Sequence, residues 1–181
     1  MTLREKAEHI LQASGLLEHL KAYGTPHIIG SLRMDMMAWN DIDIDIENEG
    51  MCLEKLYRLT SFILDTFRPT WYEAKEEKNA EGKTVWFQGF EAAIDGELWN
   101  FDLWFFDRGT IEKAEAFCDG IAARATAAQR GRILAIKEGL LARGLYTFEK
   151  FGSMDVYNAV LEEGIQDIDG FLEKHGKRVE A

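Results

Sequence analysis

Asp41-Ile42-Asp43-Ile44-Asp45-Ile46 is the stretch on which the fold turns. Strict alternation matches the two-residue repeat of a β-strand, so the isoleucines face one way and the aspartates the other. Aspartate is a poor strand residue, which makes a merely wet face an odd use of three of them. Carboxylates at i and i+2 share a face and repel. A divalent cation that prefers hard oxygen ligands relieves that repulsion. The alternative is a solvated strand face whose aspartates meet only water. Two frames are open for a working pair, Asp41 with Asp43 or Asp43 with Asp45, and the first lies nearer the Gly30-Ser31 step upstream.

Upstream, residues 3–22 carry apolar residues at helical spacing, with a break at Ser14-Gly15. Tyr23-Gly24-Thr25-Pro26 reads as a turn, and His27-Ile28-Ile29 is a short apolar run that ends at Gly30-Ser31. Ser31 is expected to cap one or two helical turns over Leu32 to Met37. Glycine lets a backbone approach a phosphate closely, and a serine at a helix start offers a hydroxyl and nearby N–H groups.

Downstream, residues 51–68 return to helical spacing and Pro69 stops them. Residues 73–83 are expected to form a charged loop or hairpin tip. Residues 84–94 and 97–106 are aromatic-rich strands, joined at Asp95-Gly96 by a type I′ turn. That turn sets Asp102 opposite Gly89 and Asn100 opposite Glu91. Trp99, Phe101, Leu103 and Phe105 make one apolar face. Asp102 lies on the other, where a carboxylate among aromatics is costly unless it is paired or metal-bound. From Thr110 onward the pattern is helical, over 110–124, 126–143 and 153–175. The expected organisation is an α+β core over residues 1–108, with a mixed β-sheet flanked by helices, and a C-terminal helical segment over 109–181.

The chain has 181 residues, with 21 lysines and arginines against 32 aspartates and glutamates, a formal net charge of −11. That balance argues against an extended nucleic-acid partner, which needs a basic face to release counterions, and against an anionic membrane surface. No apolar run approaches the roughly 20 residues of a membrane span. Cys52 and Cys118 lie far apart, without metal-ligand spacing. A cytoplasmic location is the expectation.

The order of motifs resembles that of the DNA polymerase β-like nucleotidyltransferases, most of all the minimal and antibiotic-resistance types. The residues that carry the resemblance are Ile28-Ile29-Gly30-Ser31, then Asp41-Ile42-Asp43-Ile44, then Asp102, within about residues 25–106. The resemblance implies that Asp41, Asp43 and Asp102 are catalytic and hold Mg²⁺, as two ions. It implies that Gly30, Ser31 and Arg33 bind the nucleotide, and that Asp102 helps an acceptor hydroxyl lose its proton. The implied function is Mg²⁺-dependent transfer of an NMP group from a nucleoside triphosphate to a hydroxyl of a small molecule or a protein. The alternative is a catalytically inactive member of the same fold that binds nucleotide or a partner.

Overall fold

The computed structural model describes residues 1–147 and 149–176. The aspartate segment is strand β2 (Asp41–Glu47), and it lies inside a five-stranded mixed sheet of order β1-β2-β5-β4-β3. The other strands are β1 (Thr25–Ile28), β3 (Trp71–Lys78), β4 (Thr84–Ile94) and β5 (Glu97–Phe106). β2 runs parallel to β5 and antiparallel to β1, and the β3-β4-β5 pairings are antiparallel. The architecture is therefore α+β, as expected. The chain divides into two compact units, Met1–Cys118 and Asp119–Ala181.

In the first unit, α1 (Leu3–Ser14), α2 (Leu16–Leu20) and α4 (Leu53–Phe67) bury their apolar sides against one face of the sheet. Ile42, Ile44 and Ile46 of β2 and Trp99, Phe101, Leu103 and Phe105 of β5 meet them there, each 1% exposed or less. Phe90 stacks on Phe101 with ring centroids 4.5 Å apart, and Phe67 of α4 closes over both. Burying side chains of this size is worth roughly 1.5–3 kcal/mol each. α1 ends where expected, at Gly15, whose φ of +68° supplies the left-handed cap.

The Asp95-Gly96 turn forms as read, with φ of +52° and +82°. Its register places Gly89 beside Asp102 and Glu91 beside Asn100. Two expectations are corrected. Residues 73–78 are strand rather than loop: β3 is an edge strand whose Glu73, Lys75 and Glu77 share a face and pair with one another, Lys75 Nζ lying 3.3 Å from Glu73 and 2.6 Å from Glu77. Charges of this kind suit an exposed edge, where they discourage pairing with another sheet. Ser31 is not a helix cap. The short helix α3 (Gly30–Met34) begins two residues before the expected start, with Ile29 in the cap position and no side-chain cap bond.

α5 (Arg108–Arg124) follows β5. The second unit contains α6 (Ala127–Ala142), α7 (Ser153–Leu161) and α8 (Ile168–His175), packed through Ile133, Ile136, Leu140, Val156, Tyr157 and Phe171. The helical pattern over 153–175 is interrupted at Gly164, which has a φ of +71°, and Asp167 caps α8 by accepting from Gly170 N–H at 2.8 Å. Lys137 is buried in this unit, donating to Tyr157 Oη at 2.8 Å. No helix among the described residues is long and apolar enough to cross a membrane.

Candidate active site

The face of the sheet opposite the α1-α2-α4 layer carries the polar side of β2 and β5. Because these strands are parallel and in register, Asp43 stands directly beside Asp102, Asp41 beside Asn100, and Asp45 beside Trp104. Two carboxylates from strands some sixty residues apart in sequence therefore become neighbours. The Asn100 side-chain amide donates to Asp41 Oδ1 at 2.8 Å and also hydrogen-bonds Asp102. Burial pushes the Asp102 carboxyl above its ordinary range. The Asn100 bond opposes this, the Glu73 charge adds to it, and the Lys75 charge opposes it.

Asp45 has different surroundings. It lies opposite His27 of β1 and is 7% exposed. Burial raises its pKa to about 6, against the pull of His27 and with a further push from Glu115. On β5 it stands beside Trp104, as Asp41 stands beside Asn100, and only Asp43 has a carboxylate for its neighbour.

Gly30 is fitted against this row. Its φ is +63°, and a Cβ placed there would lie 2.1 Å from Asp43 Oδ2. The backbone is drawn close by Ile29 N–H, which donates to the Asp43 carbonyl at 3.1 Å. The adjacent Ser31 Oγ is buried and has no hydrogen-bond partner among the described residues. A buried hydroxyl left in this way has donor and acceptor capacity in reserve. Arg33 points to α5, with its Nη1 2.8 Å from Glu115 Oε1.

Two residues near Asp102 were not visible from sequence. Glu73 faces Gly89, which in turn faces Asp102, so Glu73 completes the row across the sheet, and Lys75 follows it on the same strand. Reading residues 73–83 as a loop hid both. Glu91 lies one row away, beside Asn100.

Asp43 and Asp102 are register partners that offer hard oxygen donors, with Asp41 on the next row of the same face. This donor chemistry suits Mg²⁺. In the side-chain positions described, Asp41 bonds Asn100, and no group of three His, Cys, Asp or Glu side chains is gathered as a metal cluster among the described residues.

No protein-family model and no curated protein matches the sequence. Solved structures do match in fold. The Cid1 poly(U) polymerase with Mg 3′-dATP bound aligns at a TM-score of 0.58 and 15% identity, covering 87% of this chain and 48% of that one. A cytoplasmic RNA terminal U-transferase aligns at 0.59 and 15% identity, covering 90% and 49%. The polymerase core of TRAMP, an RNA surveillance complex, aligns at 0.58 and 20% identity, covering 87% and 47%. The chain thus spans about half the length of the structures it matches. Its fold is that of the polymerase β-like nucleotidyltransferases.

Proposed function

We propose that this chain is a Mg²⁺-dependent nucleotidyltransferase that moves an NMP group from a nucleoside triphosphate to a hydroxyl of a small molecule or a protein. The observation that carries the reading is the in-register pair Asp43–Asp102 with Gly30 seated against the Asp43 carboxylate. Asp41, Asp43 and Asp102 would hold the metal, as two ions. When bound, it offsets the negative charge that gathers on the phosphates and on the attacking and leaving oxygens.

The remaining roles belong to the chain. Gly30, lacking a side chain, lets its backbone pack against the Asp43 carboxylate, and the orphaned Ser31 hydroxyl has a hydrogen bond to give a phosphate. Asp102 takes the proton of the acceptor hydroxyl as the acceptor oxygen bonds to the α-phosphorus and the bond to pyrophosphate breaks.

A second reading, a nucleotide- or partner-binding module without turnover, draws on the Asp41–Asn100 hydrogen bond, which occupies one of the three proposed ligands. Calorimetry and thermal melts with Mg²⁺ and ATP, GTP or UTP test both. Wild type should be stabilised only when metal and nucleotide are both present, by about 2.7 kcal/mol at a hundredfold excess over Kd. Asp43→Asn should lose that gain. A wild type that binds no nucleotide sinks both readings, and pyrophosphate release with a hydroxyl acceptor separates the first from the second.

A further inference from the structure

A single carboxylate oxygen holds the chain on both sides of Gly30. Glu115 Oε1 on α5 accepts from Arg33 Nη1 at 2.8 Å and pairs with His27 Nδ1 at 3.1 Å. His27 lies three residues before Gly30 and Arg33 three residues after it. Arg33 Nη1 also lies 3.4 Å from the Ile28 carbonyl, which joins the end of β1 to α3. The His27 bond, more than the Arg33 charge, keeps the Glu115 carboxyl below its usual range, so it is ionised at neutral pH.

α3 has little support of its own. It is five residues long, has no side-chain cap, and is bounded by left-handed residues, Gly30 at φ +63° and Asp35 at φ +57°. A helix this short does not persist without outside contacts. Yet the gap at Gly30 tolerates little movement, since even a methyl group there would overlap Asp43. The Glu115 contacts come from the helix that directly follows the Asp102 strand. They therefore tie the Gly-Ser turn to the same body that carries Asp102.

Resting on the reading of Gly30-Ser31 as the phosphate turn, we infer that Glu115 is a positioning residue for nucleotide binding, with Arg33 and His27 as its two attachments. Arg33 then acts as a brace for the turn and not as a ligand to the triphosphate.

The two roles predict opposite signs. If Arg33 braces, Glu115→Ala loosens the turn and weakens nucleotide binding. If Arg33 is a phosphate ligand held back by Glu115, the same substitution frees the guanidinium and tightens binding. The measurement is Kd for MgATP, MgGTP and MgUTP by calorimetry, with no acceptor present. Glu115→Ala and Arg33→Ala should each raise Kd about tenfold, and the double variant should lose less than the two losses combined, because the Arg33–Glu115 contact is common to both. Glu115→Gln keeps an accepting oxygen and should recover most of the affinity. Melting temperatures without ligand should stay within about 3 °C of wild type, which separates a displaced turn from an unfolded protein. Tighter or unchanged binding by Glu115→Ala, or losses that add in the double variant, overturns the inference alone. A wild type that binds none of the three nucleotides overturns the function proposed above.

Discussion

Gly30 meets two separate constraints, a backbone at φ +63° and an Asp43 oxygen 2.1 Å from where a Cβ would stand. Either would favour glycine, and together they tie the residue to the aspartate pair. Gly30→Ala should cost about 1–3 kcal/mol of stability through backbone strain and displacement of the carboxylate. It should also abolish the gain in melting temperature on adding Mg²⁺ and nucleotide. Retention of that gain would show that the close approach has no part in binding. Asp45 makes a prediction of a different kind. Its folded pKa of about 6 exceeds its ordinary value of 3.8, so folding favours the protonated form. Its contribution is intact below about pH 4 and is lost as pH rises through about 6. Asp45→Asn should therefore stabilise the protein at pH 8 relative to its effect at pH 4, by up to roughly 3 kcal/mol. Thermal melts of both proteins at the two pH values check this, and an equal effect at both would remove burial as the cause.

At the scale of elements, the strands were legible where side chains alternate and obscure where charge dominates. The Asp95-Gly96 turn is read correctly because two adjacent positive φ angles have few sequence solutions. β3 is missed because its outward residues are Glu73, Lys75 and Glu77, a composition that also fits a loop. What makes it a strand is pairing with β4 along its whole length. The tie between this region and α4 is Gln88, which is fully buried on β4. Its Nε2 donates to the Leu56 carbonyl at 2.9 Å and lies 3.0 Å from both Thr60 Oγ1 and Tyr72 Oη. Gln88→Ala removes these bonds and leaves a cavity, so it should cost about 2–4 kcal/mol. Denaturant titration should show a lower midpoint with an unchanged slope. A loss below half a kcal/mol would mean that α4 and the sheet hold together without it.

For the whole molecule, the governing quantity is charge. The matched structures include an RNA terminal U-transferase and the polymerase core of an RNA surveillance complex, whereas this chain carries a net charge of −11. Affinity for a nucleic-acid backbone comes largely from cations that displace its counterions. Fluorescence anisotropy with a labelled oligouridylate should therefore show no saturable binding below about 10 μM at ordinary salt. Saturable binding that weakens with added salt would establish a basic track and redirect the search for an acceptor to RNA.

The sequence by itself determined the α+β class, the strand through Asp41–Glu47, the hairpin register that sets Asp102 against Gly89, and the order of motifs that resembles a nucleotidyltransferase. These are local properties, governed by side-chain period and turn geometry. Only the tertiary structure decided which residues meet. The parallel pairing of β2 with β5 spans a long crossover and leaves no local mark, yet it alone sets Asp43 beside Asp102. Together with the β1–β2 pairing it separates the aspartates that look equivalent in sequence, leaving Asp41 bonded to Asn100 and Asp45 buried beside His27. The Glu115 contacts with His27 and Arg33, across more than eighty residues, arise in the same way. Such contacts depend on how elements pack, and packing is a property of the folded chain as a whole.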